Sequence, residues 1–364
     1  MHGSHEIRNT GFLASRVLAG ILLLAGVSVW FYVGFSLLKV MREARLLMTL
    51  LAIVWGCGTL LGLFLAACTL VRSLPMEWQR RIVPFVFVGP AVLVMGWYLF
   101  LPIVRTFYLS FFDRMGSGFV GLANYLYIFT DRTMRIAFVN NLVWLVVGTG
   151  LVVFFGLVVA LLADRVPFER TVKTLIFLPM SISFVGAGVI WRFVYAYQPP
   201  GSPQYGVLNA LVVALGGEPQ NWIVLRPWNT FFLIVILVWL YTGFAMVIFS
   251  AALKGIPKEL REAAHIDGAG ELVTTVKILI PCIKGTIVSV STTIILVTLK
   301  IFDIVYTMTN GLYGTEVLAS QQYKQMFKFL HYGRGSAIAV VIFLAVIPII
   351  WYNLRQFGRR EVFK

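Results

Sequence analysis

Ionisable side chains are rare inside the apolar runs of this sequence, so the few present are the first candidates for chemistry. Arg192, Lys300 and Asp303 each fall within such a run. A charge at mid-membrane costs about 2.5–3.5 kcal/mol on insertion scales, so each needs a compensating partner or role. Lys300 and Asp303 stand three apart, a spacing that puts both on one helix face, where they can pair and lower each other's cost. Alternatively they face a central cavity, with Tyr241, Thr242 and Asn310 as further polar candidates and Trp239 as a stacking surface. Arg192, near one end of its run, can snorkel to the interface.

No catalytic constellation emerges. The histidines His2, His5, His265 and His331 lack metal-ligand spacing, and there is no Gly-x4-Gly-Lys-Ser/Thr phosphate loop. The chain is therefore expected not to be an enzyme and not to hydrolyse ATP itself. Cys57 and Cys68 share one apolar run and Cys282 stands apart, which is not a disulfide framework.

The elements that must position these groups follow from composition. With 59% hydrophobic and 12% charged residues and a mean hydropathy of +0.88, the chain reads as an all-α polytopic membrane protein. Its net charge of +15 does not require a nucleic-acid partner, because lysine and arginine collect in short cytoplasmic loops beside anionic lipid. About eight runs reach the length needed to span the hydrocarbon: Val17–Leu38, Leu46–Val71, Ile82–Val104, Leu142–Ala163, Thr174–Ala196, Thr230–Leu253, Thr286–Met308 and Gly335–Leu354. The first is too long for a signal-peptide core and reads as an uncleaved helix. Gly58 and Gly62 form a small-xxx-small pattern that can let helix backbones approach.

Between the sixth and seventh runs lies a stretch that cannot sit in lipid, carrying Lys254, Lys258, Glu259, Arg261, Glu262, Asp267, Glu271, Lys277 and Lys284. Pro257 can open a helix, and Glu259 and Glu262 suit its early turns. Asp267-Gly268 is a turn signal: the glycine supplies a positive φ, and the aspartate can accept local backbone N–H groups. A second helix restarts near Ala269 and is expected to end before Pro281. The result is a helix-turn-helix elbow at the membrane surface.

Glu262-Ala263-Ala264-x-x-Asp267-Gly268-Ala269, followed by Ile278 and Pro281, resembles the EAA loop of permease subunits of binding-protein-dependent ABC importers. Ile256-Pro257-x-Glu259-Leu260 is similar to the carbohydrate branch of that family, whereas Thr275 and Gly285 depart from its pattern. The resemblance implies that the elbow is the coupling helix docking on an ATPase, with Glu262 anchoring it by ion pairing or capping and Gly268 permitting the turn. It also implies that the polar candidates hydrogen-bond sugar hydroxyls. From Ile82 onward it is continuous: Leu101-Pro102 to Ser110, Gly121-Leu-Ala-Asn124-Tyr125 and Asn140-Asn141 all match. Phe302 to Gly311 and Gly333-Arg334 resemble permeases for α-glucosides and related solutes such as glucosylglycerol, trehalose and maltose-like sugars.

The expected layout is an N-terminal hairpin over 1–81, a six-helix permease core over 82–354 with its coupling loop at 254–285, and a basic tail over 355–364. A cytoplasmic elbow places both termini inside a bacterial inner membrane, a topology the distribution of basic residues favours only slightly, with Lys39, Arg42 and Arg45 in an outer loop against it. The loop Tyr197–Trp228, with a short apolar helix at Val207–Leu215, reads either as landing surface for a solute-binding protein or as a shield over helix ends. The implied partners are a second homologous permease, two ATPase subunits holding ATP and Mg, a periplasmic or lipid-anchored solute-binding protein and a sugar. The alternative is an ion-coupled secondary transporter using Lys300 and Asp303, for which interrupted helices in inverted repeats would be the sign.

Overall fold

The computed structural model describes residues 3–40 and 45–361. Among them six helices are long and apolar enough to cross a bilayer, or eight if each of two bent pairs counts as one span. The chain divides into two compact units, Met1–Val104 and Arg105–Lys364.

In the first unit, α1 (Gly3–Val40) and α2 (Arg45–Val71) form a hairpin. Small residues allow it: a Cβ at Gly34 would stand 1.9 Å from the Trp55 ring, and one at Gly62 would stand 2.5 Å from Val27. Gly58 lies under Trp30, so the small-xxx-small pair does face the partner helix. Each indole closes on the opposite backbone, Trp30 donating to Trp55 O (3.3 Å) and Trp55 to Phe31 O (3.2 Å). Arg42 lies outside the described residues. The long helix α3 (Met76–Leu109) follows, its residues from Arg105 onward belonging to the second unit.

The second unit continues with α4 (Ala123–Thr130) and α5 (Arg132–Ala163), the bent pair α6 (Glu169–Ser181) and α7 (Phe184–Val194), and α8 (Val207–Ala214). Its centre is α9 (Asn229–Lys254), whose Leu233, Ile236, Leu240, Met246 and Phe249 are buried. Glycines bring neighbours onto α9 without intervening side chains. A Cβ at Gly156 of α5 would stand 2.4 Å from Ala245, and one at Gly243 of α9 would stand 2.4 Å from Ile176 O of α6. Then come α10 (Lys258–Ile266), α11 (Glu271–Cys282), α12 (Lys284–Leu299), α13 (Asp303–Met308), α14 (Leu318–Tyr323) and α15 (Tyr332–Glu361).

Three sequence expectations are corrected. The run Thr174–Ala196 is not one helix but bends by 103° between α6 and α7, where Ser183 caps α7 by accepting from Gly186 N (3.1 Å). The run Thr286–Met308 breaks at Lys300–Phe302, and there Asn141 of α5 donates to Leu299 O (3.4 Å), satisfying a carbonyl at the end of α12. Helix α11 does not end before Pro281 but continues to Cys282. A wide π turn over Thr275–Leu279, in which Ile280 N reaches back to Thr275 O, relaxes the ladder where proline lacks a donor and would otherwise clash.

Candidate functional site

The elbow is α10, the turn after it and α11. Pro257, at φ −54° and ψ 136°, stands just before the first helical residue, and Glu259 occupies the first turn. The turn closes with a paired hydrogen-bond pattern: Gly268 N donates to His265 O (3.0 Å) and Ala269 N to Ala264 O (2.9 Å), with Gly268 at φ +78°. That pattern satisfies the last carbonyls of α10 and needs a left-handed residue. Ala263 O accepts from Asp267 N (3.0 Å), whereas no side-chain hydrogen bond of Asp267 forms among the described residues.

Ala264 is buried against the rest of the chain; Glu259, Glu262, Ala263, Asp267 and Pro281 are exposed, and Ala269 is half-buried. Glu262 forms no ion pair among the described residues. The pair that ties the elbow down is Arg165–Glu271 at 2.6 Å, with His265 Nε2 3.7 Å from the same carboxylate. Beside these charges the elbow exposes large apolar side chains: Ile266 is 86% and Leu272 78% accessible, with Leu260, Val273 and Val276 also exposed. Apolar groups that project with charged neighbours are suited to a protein partner rather than to lipid.

The base of the elbow is held by a cluster that sequence reasoning missed. Lys173 of α6 lies 2.5 Å from both Asp164 and Glu169, and it also donates to Ser250 of α9. Ser250 in turn donates to Asp164 (2.7 Å), and Lys254 bonds to Glu169. The connector between α5 and α6 is thereby locked to the last turns of α9, immediately before the elbow. Glu169-x-x-x-Lys173 was the only local signal for it, as an i,i+4 pair.

The six candidates for a solute pathway fall into two groups. Trp239 and Thr242 of α9 line a cavity of about 600 Å³ at the α6–α7 bend, where Trp191 meets Trp239 edge-on at 5.8 Å. Tyr241 points elsewhere, stacking on Phe184 at 5.9 Å. Lys300, Asp303 and Asn310 do not line that cavity. Lys300 is exposed at the end of α12 and Asp303 half-buried at the start of α13, and they form no ion pair among the described residues. Their shared helix face does not exist, because the helix breaks between them. Asn310 has a left-handed backbone (φ 52°), its O accepts from Lys324 Nζ (2.7 Å), and its Oδ1 is buried without a partner.

The loop between α13 and α14 is fixed from within. Lys324 pairs with the buried Glu316 at 2.5 Å, Ser320 donates to the same carboxylate, and Asn140 donates to Gly314 O (2.7 Å) and Glu316 O (2.8 Å). Neighbouring Asn141 accepts from Leu318 N (2.8 Å).

Residues 152–360 match the family model described as "Binding-protein-dependent transport system inner membrane component". The chain is 53% identical over 275 residues to the osmoprotective compounds uptake permease protein of Synechocystis sp., covering 76% of this chain and 99% of that protein. It is 52% identical over 292 residues to the alpha-glucoside transport system permease protein of Rhizobium meliloti, covering 80% of this chain and 87% of that one. Among solved structures, the fold resembles a chain of a bacterial alginate ABC transporter in complex with an alginate pentasaccharide-bound periplasmic protein. The TM-score is 0.66 at 19% identity, over 76% of this chain and 94% of the other.

Proposed function

The chain belongs to the binding-protein-dependent transport system inner membrane components, a family of transport subunits rather than enzymes, and from that membership we propose that its elbow takes up the motion of an ATPase to drive sugar import. The observation that carries the reading is the exposed apolar and charged surface of α10 and α11, built on the left-handed turn at Gly268. Two ATPase subunits, holding ATP and Mg, would engage this elbow and that of a second, homologous permease. The elbow and both termini lie in the cytoplasm in this reading, and a solute-binding protein delivers at the opposite end. Glu259, Glu262 and Asp267 are then free to meet the ATPase, whereas Ala263, Ala264, Gly268, Ala269 and Pro281 shape the elbow.

Alternating access requires that each nucleotide state favour a different arrangement of the pathway. The Lys173 cluster joins the base of the elbow to α6, and α6 bends into α7 beside Trp239 and Thr242, so a push on the elbow reaches the cavity through packed helices. Trp239 offers a stacking face and Thr242 a hydroxyl to a sugar. The relatives' names favour α-glucosides and related solutes. Family membership leaves the ion-coupled alternative unsupported, and Lys300 and Asp303 do not pair.

Purification in mild detergent from native membranes, followed by ATPase assays with candidate α-glucosides and the periplasmic fraction, tests this. Recovery of an ATPase and a second permease, with hydrolysis raised by one loaded binding protein, is the expected result. A chain that purifies alone and moves solute on an ion gradient without ATP would overturn it.

A further inference from the structure

The segment between α7 and α9 holds a helix turned inside out with respect to water. No charged residue lies between Arg192 and Glu218, and α8 (Val207–Ala214) stands in that interval. Its one amide, Asn209, is completely buried and directs both polar atoms inward. Nδ2 donates to Ala196 O (2.9 Å) and Gln220 O (3.0 Å), and Oδ1 accepts from Gln220 N (2.9 Å) and Trp222 Nε1 (3.0 Å). A Cβ at Gly206 would collide with Ala196 O, so the start of α8 is pressed onto the chain just after α7.

The opposite face is apolar and left uncovered by the chain. Val207, Leu211 and Leu215, four residues apart, form one stripe that is 67%, 55% and 80% accessible, with Tyr205 and Trp228 exposed beside it. A surface helix of a soluble domain turns such a stripe to its core and its polar groups to water. In α8 the two are exchanged, so the stripe needs a cover of lipid or protein.

Depth distinguishes these covers. The charged Lys173 cluster must lie outside the hydrocarbon, and it holds Ser250 of α9. Crossing about 30 Å of hydrocarbon at about 1.5 Å per residue takes about 20 residues, which along α9 leads from Ser250 to Thr230. Phe232 is therefore just within the far boundary. The chain beneath α8 sits at that level: Tyr195 donates to Phe232 O (2.9 Å), and Trp222, a partner of Asn209, meets Phe232 edge-on at 5.1 Å. A water-soluble partner does not reach a stripe at that depth, whereas acyl chains do. Exposed tyrosine and tryptophan favour the same interface.

We propose that α8 is an interfacial helix whose Val207–Leu211–Leu215 stripe inserts among the lipid acyl chains of the leaflet opposite the elbow, and that Asn209 passes this anchorage to the far end of α7. The insertion holds whatever drives transport; only calling that leaflet the outer one rests on the importer reading above.

The test uses the complete importer in nanodiscs, with Cys57, Cys68 and Cys282 replaced by serine. Leu211→Cys, carrying an environment-sensitive fluorophore, is exposed in turn to lipid bearing a nitroxide high on its acyl chain and to iodide. The nitroxide lipid should cut its emission by about twofold or more and iodide hardly at all, since an interfacial helix buries its apolar face below the headgroups. Glu218→Cys, an exposed position past the end of α8, should show the reverse. Val207→Cys should match Leu211→Cys, so the test stands even if one variant fails to assemble. Leu211→Asp/Leu215→Asp should release the helix, with a loss of amide-exchange protection over 184–196. Iodide quenching at Leu211→Cys equal to that at Glu218→Cys would overturn the proposal. So would shielding from both quenchers, which would assign the stripe to a second permease, and so would shielding that appears only when loaded binding protein is added. Unchanged exchange in the double aspartate variant would overturn the anchoring of α7. None of these readouts requires ATP-driven uptake, so a failure of the importer reading shows separately, in the ATPase assay above.

Discussion

Gly268 is the residue on which the geometry of the elbow turns, and its substitution separates backbone effects from contact effects. Its φ of +78° lies in the left-handed region, and no atom stands within 4 Å of where a Cβ would sit on this glycine, so a side chain there meets no steric obstacle in the chain. The cost of Gly268→Ala is then conformational alone, about 1–2 kcal/mol for an L-residue in that region. This shifts the balance between the closed turn and its frayed alternatives by about 5- to 30-fold. Gly268→Val adds the restriction of a β-branched side chain, while Gly268→Asn is tolerated because asparagine also closes helices in this conformation. Membrane levels should stay the same for all three. Solute moved per ATP hydrolysed, measured in proteoliposomes, should fall in the order Asn, Ala, Val, with Asn close to wild type. If Val transports normally, or if Asn is as defective as Val, the left-handed turn is not what couples the elbow.

Other perturbations follow from the packing. Lys173→Met removes the cation shared by Asp164 and Glu169 at the base of the elbow, leaving Glu169 to Lys254 and Asp164 to the Ser250 hydroxyl; after allowance for partial exposure, it should cost about 1–3 kcal/mol, read as a lower melting temperature in detergent. Adding Asp164→Asn should recover part of the loss. Asn140→Ala removes both donors to the loop at Gly314 and Glu316 and should destabilise by about 1–3 kcal/mol, with faster amide exchange over 313–318. Trp239→Ala should raise the KM for uptake without lowering ATPase assembly, because the indole lines the α6–α7 cavity and lies far along α9 from the elbow. A loss of assembly with unchanged KM would contradict that placement.

The elbow was legible in sequence because its structure is local: Pro257, the charged first turns and Asp267-Gly268 specify start and stop without help from elsewhere. Eight apolar runs were also legible, since hydrophobicity and length suffice for them. Straightness was not. An apolar run reads the same whether it is one rod or two pieces at 103°, although Ser183, three residues before Gly186, was a capping signal for the second piece. The break after Leu299 has no glycine or proline to announce it. Its carbonyl is met by Asn141, 158 positions away, so three-residue spacing wrongly put Lys300 and Asp303 on one face. The Lys173 cluster is likewise assembled from distant elements, and within it only Glu169 and Lys173 form an oppositely charged pair at i,i+4 spacing in sequence. Pro281 misled in the opposite sense, because a π turn can accommodate a proline that an ideal helix cannot.

The central claim is that the elbow is the surface on which the ATPase acts. In a background with Cys57, Cys68 and Cys282 replaced by serine, Ile266→Cys places a thiol on the most exposed apolar position of α10. Short thiol cross-linking in membranes should join this residue to an ATP-binding subunit, with a yield that depends on nucleotide, and should block uptake. Cross-links that form only between copies of this chain, with uptake undiminished, would contradict the claim.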